Sequence, residues 1–203
     1  MAFALVAFYW IVQREKTTSN KSEQSNAHIA DKQEKSVEHD YQDVDFAKKM
    51  ILVDQQTMQI AATGIQKASG AQIKDLATKI YQGSEADSRK YIAWLKEWNE
   101  SYLNLSDFPE MEGHDMYPTF SGMMPLGEVR QLDGLSGADF DKAFLALLVK
   151  HHEGVIELQT GKTSEGSAVK YTEMIVLREE NAQKQTEQIE QIKQLQKEKS
   201  FGS

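Results

Sequence analysis

The chain has 203 residues, with 23 basic against 31 acidic side chains and a formal net charge of −8. The charges are spread along the sequence rather than gathered into a basic patch, so a nucleic-acid role is excluded. Cysteine is absent, which rules out disulfides, thiolate metal sites and a lipid-modified N-terminal cysteine and leaves His, Met and carboxylates as possible metal ligands.

In chain order, the first feature is AFALVAFYWIV, Ala2 to Val12. This apolar run is shorter than the roughly 20 residues a helix needs to cross a hydrocarbon core. It lacks a basic leading region and a small-x-small cleavage site, so residues 1–12 are expected to be the remainder of an export or anchor segment that meets the membrane. The alternative is an exposed or partner-bound hydrophobic tail. Residues 13–40 are rich in Lys, Ser, Glu and Gln and almost free of large apolar side chains, as expected of a disordered spacer.

From Asp43 onward the apolar period is helical, and residues 41–203 are expected to form a four-helix bundle. Phe46, Met50, Val53, Thr57 and Ile60 step by three and four, marking one face of an amphipathic first helix. Ser69-Gly70 supplies a break. A second helix is expected from about Ala71 to Leu103, burying Ile73, Leu76, Ala77, Ile80, Tyr91, Trp94, Leu95 and Trp98. Phe144, Leu148, His151, Val155 and Leu158 mark a third helix, and Gly161 to Gly166 a turn. A fourth helix is expected from near Ser167 through Met174, Leu177, Ile189, Ile192 and Leu195. No segment alternates with strand period for long enough to compete. Sliding the chain by 144 − 46 = 98 positions lays FAKKMILVDQQTMQI (Phe46 to Ile60) over FLALLVKHHEGVIEL (Phe144 to Leu158). The fold class is therefore all-α: two repeated helical hairpins, about 43–103 and 137–198, too small to bury their faces alone.

The link between the hairpins, about 104–136, holds all three prolines together with Met111, His114, Met116, Met123 and Met124. A connection of this length is expected to be functional or disordered. Its methionines either pack the loop onto the end of the bundle, where a thioether fills irregular gaps, or join imidazole in the soft ligand set that selects Cu(I).

The phrases FLALLVKHHEGVIEL, Gly137-Ala138-Asp139-Phe140, HDMYPTFSGMM and LATKIYQ…AWLKEW resemble the bacterial ferritin-like family known as domain of unknown function 305, which includes CopM-type copper-binding proteins. The similarity covers about Asp43 to Leu195. It implies an extracytoplasmic helical bundle with a His-His pair in each half, conserved methionines and a role in copper binding. Carried over residue by residue, the resemblance puts the second-half pair on His151 and His152 and the loop ligands on His114, Met116 and Met123 or Met124. It puts the first-half pair on Val53 and Asp54, and the methionine after each pair on Ile60 and Leu158. The family's Gln-x-x-Glu-Ile-x-x-Met phrase falls on Ser84, Asp87, Ser88 and Tyr91, and again on Gln185, Gln188, Ile189 and Ile192. The helical methionines expected as ligands are thus replaced.

Adjacent helical residues point about 100° apart, so His151 and His152 do not readily chelate one ion together. Partners must come from the loop or another helix. Asp54 faces His152 through the repeat, and the two could form a hydrogen-bonded ion pair or favour an ion harder than copper. The histidines could equally be satisfied as a structural, hydrogen-bonded pair. No di-iron Glu-x-x-His set, phosphate loop, nucleophile elbow or His-Glu-x-x-His motif is present, so no enzymatic activity is expected. The resulting expectation is a tethered extracytoplasmic bundle that sequesters or handles a copper ion through His114, Met116, Met123, Met124, His151 and His152. Its alternative is a metal-free, envelope-associated interaction module. A homodimer could complete the site by symmetry.

Overall fold

The computed structural model describes residues 39–108, 110–111, 114–115, 118–162 and 169–200, with the backbone alone at 110–111, 114–115 and 200. The apolar run 1–12, most of the polar spacer and the expected turn at 163–166 lie outside the described residues, as does Ser167. Four long helices dominate: α1 (Tyr41–Lys67), α2 (Ala71–Glu97), α4 (Gly137–Gln159) and α5 (Thr172–Ser200). A 3-10 turn (Leu105–Asp107), a two-residue ladder of β1 (Glu110–Met111) with β2 (His114–Asp115) and a short α3 (Leu126–Arg130) occupy the connector. The ladder is antiparallel, Met111 opposite His114. Neither it nor α3 is visible as a period in the sequence, because each spans less than two repeats of its pattern.

α1 pairs with α2 and α4 with α5, giving the two hairpins that the repeat implies. Every member of the α1 stripe, Phe46, Met50, Val53, Thr57 and Ile60, is buried, and so are Phe144, Leu148, His151, Val155 and Leu158 on α4. Leu76, Ala77 and Ile80 of α2 join Phe140, Phe144 and Leu148 of α4 and Ile192 of α5 in one apolar core. The hairpins approach closely enough that a β-carbon on Gly64 of α1 would clash with the Phe144 ring.

Helix ends differ from the sequence reading where backbone chemistry intervenes. α2 stops at Glu97 rather than Leu103 because Asn99 takes a left-handed conformation, φ 57°. The Glu100 N–H then bonds the Leu95 carbonyl at 2.8 Å and the Asn99 N–H the Lys96 carbonyl at 3.1 Å, a Schellman closure that satisfies the last carbonyls. Gly161, φ 71°, ends α4 in the same way. α5 begins at Thr172, later than expected, because Asp43 holds the backbone ahead of it. Its carboxylate accepts from the N–H of Lys170 at 2.7 Å and of Tyr171 at 2.9 Å. The same Asp43 closes a capping box with Asp40 at the start of α1, which satisfies amides that the helix itself cannot.

The connector is fastened to α1 at three levels. Gln55 bonds Asn104 and the Leu105 N–H. Gln56 accepts from the Met124 N–H at 2.7 Å and donates to its carbonyl at 2.8 Å. Lys67 donates to the carbonyls of Leu132 and Asp133. These bonds lay the stretch around Gly122 across the middle of the bundle, where the histidines are.

Candidate metal centre

His151 and His152 sit in the middle of α4 and are 0% and 1% exposed. Their rings diverge, with centroids 5.9 Å apart and planes tilted by 44°, as successive positions on a helix require. The two imidazoles face separate surroundings.

His151 faces α1 and the connector. Its Nε2 lies 2.6 Å from the Thr57 hydroxyl, which itself donates to the Val53 carbonyl at 2.8 Å. Which side donates across this contact follows the imidazole tautomer, since Thr57 has one hydroxyl proton and two acceptors in reach. Nδ1 is buried without a hydrogen bond of normal geometry; the Gly122 backbone is the neighbour that favours its protonation. Burial, followed by the proximity of His152, pushes the His151 pKa down to about 3. Gly122 can approach because it lacks a β-carbon. Its φ is +94°, an added Cβ would meet Val155 at 3.2 Å and Val53 at 3.5 Å, and a Cβ on Gly154 would meet its nitrogen at 3.1 Å.

His152 faces the opposite way, into a pocket of about 20 Å³ to which all four long helices contribute. Asp54 comes from α1, Ser84 and Asp87 from α2, and Asn181, Lys184, Gln185 and Gln188 from α5. Neither His152 nitrogen makes a hydrogen bond, and the same is true of Asp54 Oδ2 and Gln185 Oε1. Asp54 and His152 therefore form no hydrogen-bonded ion pair, one of the two arrangements open to them in the sequence. Burial pushes the His152 pKa down to about 4, with the Gln188 side chain opposing it; Gln188 lies near the ring without reaching hydrogen-bond geometry. Burial, then the charge of Asp87, pushes Asp54 well above the usual carboxylate range, with Lys184 opposing. Both histidines are thus neutral at neutral pH, the form that ligates metal.

The connector residues divide. Met124 is 4% exposed and belongs to the apolar core, so its thioether fills a packing gap as methionines commonly do. Met123 is half-buried and directly follows Gly122. The His114 backbone lies in β2, its side chain outside the described residues, and Met116 lies outside them altogether. Among the described residues, no three His, Asp or Glu side chains converge as a ready-made metal site. The structure thus brings His151 to Gly122 and turns His152 toward a separate pocket. Sequence reading did not single out Thr57, Gln56 and Asp87 for these roles. Asp87 had a signal, since it falls seven residues after Ile80 and four before Tyr91, on the buried stripe of α2.

This bundle, with a histidine pair at its centre and a long connector laid over it, defines a class. The family model described as Domain of unknown function (DUF305) matches residues 43–196, and the chain belongs to that family. Its fold is shared with a DUF305 protein from Streptomyces coelicolor inferred to be secreted, at TM-score 0.65 and 19% identity over 78% of this chain and 92% of that one. A DUF305 fragment from Deinococcus radiodurans matches at TM-score 0.62 and 19% identity, over 77% and 96%. CopM in its Cu(II)-bound form matches at TM-score 0.60 and 22% identity, over 75% and 94%, and CopM is also known in Cu(I)-bound and Ag-bound forms. No curated protein matches the chain.

Proposed function

We propose that the protein binds copper outside the cytoplasm, sequestering or handling the ion rather than turning over a substrate. The observation that carries this reading is His151: a buried, neutral imidazole whose Nε2 is fixed by Thr57 while Nδ1 has no partner. A hydrogen bond on one ring nitrogen that orients the other is the usual support of a metal-ligating histidine. Met123, beside Gly122, would add a thioether, and His114 and Met116 of the same connector would add the rest of a soft set suited to Cu(I). His152 and Met124 are more remote members of that set, since one faces the other pocket and the other lies in the core. The likeness to CopM and to a DUF305 protein inferred to be secreted supports the metal and the location. The apolar run 1–12 and the polar stretch after it would tether the bundle to a membrane. Among the described residues, no helix is long and apolar enough to cross one.

The test is a Cu(I) titration of the full chain against a competing chelator. Stoichiometric binding lost in His151→Ala with Met123→Leu supports the reading. Failure to compete even with a weak chelator refutes it. Burial of Met124 favours a second reading, a metal-free interaction module that keeps the bundle for its shape; for that reading, the same double substitution changes stability and no metal property. A homodimer that completes the set across a symmetric contact predicts copper binding that rises with protein concentration.

A further inference from the structure

Tyr91, Trp94 and Trp98 follow one another at steps of three and four along α2 and its C-cap, so their rings share one face of the helix. Tyr171, the residue before α5, meets both indoles. The rings make an unbroken series. Tyr91 to Trp94 is 5.6 Å between centroids, Trp94 to Tyr171 5.4 Å and Tyr171 to Trp98 5.1 Å, each pair edge to face. The His39 ring stacks on Trp98 at 4.2 Å. The series starts in the core, where Tyr91 is 0% exposed, and ends on the half-buried Trp98 and His39. Edge-to-face pairs stabilise a bundle by packing alone, but packing has no need of a phenol. All four rungs from Tyr91 to Trp98 are tyrosine or tryptophan, the aromatic side chains that give up a single electron most readily.

The rungs differ in where a proton can go. The Tyr91 hydroxyl and the Trp98 indole N–H are buried without a hydrogen-bond partner, so an electron lost from either ring leaves a positive charge that no acceptor relieves. Tyr171 lies between the two indoles with the Glu173 carboxylate at its phenol. Burial, followed by the charges of Glu173 and Glu97, raises the Tyr171 pKa, and the same two carboxylates favour positive charge on the ring. Glu173 gives Tyr171 the proton acceptor that Tyr91 and Trp98 lack.

We propose that this series is a single-electron relay that quenches oxidising radicals reaching the protein, with Tyr171 as the redox-active residue and Glu173 as its proton acceptor. A radical one-electron oxidant in the solvent takes an electron from Trp94 or Trp98 and is reduced. The indole radical cation takes an electron from Tyr171 across the ring contact and is restored. The Tyr171 O–H bond breaks, its proton passes to Glu173, and a neutral tyrosyl radical remains. A thiolate in the solvent then gives one electron to that radical, becoming a thiyl radical, and Glu173 returns the proton. The net change is one electron moved from thiolate to oxidant. Tyr91 extends the series into the core, where an oxidised ring has no acceptor and is refilled from Trp94. The relay uses neither residue of the histidine pair and nothing from the connector, so it stands or falls separately from the copper reading.

The experiment is pulse radiolysis of the full chain in azide solution, where the azide radical oxidises indole in preference to phenol. Transient absorption follows the indole radical and its conversion into a tyrosyl radical. A first-order conversion, independent of protein concentration, is expected in the wild type and in Trp10→Phe, which removes the indole outside the described residues. It should persist in Tyr41→Phe, which removes an exposed phenol, and be lost in Tyr171→Phe, which keeps the ring and its packing. Glu173→Gln, at an exposed position that leaves every ring in place, should slow it at least about tenfold. The proposal is overturned if no first-order conversion occurs, if it proceeds in Tyr171→Phe as in the wild type, or if Glu173→Gln leaves its rate unchanged; the rings then serve packing alone.

Discussion

Replacing His151 by Leu should make the protein less sensitive to acid, by an amount the structure sets. In the unfolded chain the ring takes a proton as pH falls through 6.5, whereas in the fold it resists protonation until about 3. Below 6.5 the unfolded state therefore binds a proton that the native state refuses, and stability is lost as pH falls toward 3. Between pH 7.5 and pH 5 this window spans about 1.5 units, or about 2 kcal/mol at 1.36 kcal/mol per unit. The Leu variant lacks that loss. At pH 7.5 it gives up the Thr57 contact, about 1 kcal/mol, so wild type starts ahead and should fall behind near pH 5. Asp54, whose raised pKa acts in the opposite direction, is present in both proteins and cancels in the difference. Urea unfolding of metal-stripped protein, read by circular dichroism from pH 7.5 to 5, measures it. A wild-type advantage that stays constant across the range would mean that His151 titrates as freely in the fold as out of it, refuting the sealed environment.

Three further outcomes follow from single contacts. Asp54→Asn should stabilise the metal-free protein increasingly as pH rises above 3.8, because the native pocket disfavours the charge that the unfolded chain carries freely; denaturant midpoints at pH 5 and 8 check the trend. Gly122→Ala should cost about 1–3 kcal/mol, since its φ of +94° is strained for an L side chain and its Cβ would press on Val155 at 3.2 Å; thermal unfolding would register it. Gln56→Leu should cost about 1–3 kcal/mol for each Met124 backbone group it orphans, and hydrogen exchange at the Met124 amide should accelerate.

The fold was legible where apolar residues keep a 3.6 period. The 98-residue repeat brought Phe46 and Phe144 into matching roles, and all ten stripe positions on the first and third helices are buried. Helix ends were less legible, because Asn99 and Asp43 act through single backbone bonds that leave no periodic trace. The His pair announced itself, but its division into two surroundings depends on partners 29 to 98 residues away. Asn181, Gln185 and Gln188 read in isolation as a solvated helix face. What turns them inward is the packing of α5 against α4 and the pocket that α5 lines with α2, a tertiary fact. The connector was legible as unusual, and its fastening to Gln55, Gln56 and Lys67 was not, since glutamine and lysine are ordinary surface residues elsewhere.

The divergence of the two rings, 5.9 Å between centroids, has a thermodynamic consequence. Any cation bound at His151 would sit one residue from any cation bound at His152, within a poorly screened interior where like charges repel strongly. Filling either position would weaken the other by the same factor. A dipeptide that looks like a doubled ligand would then favour holding one ion over two.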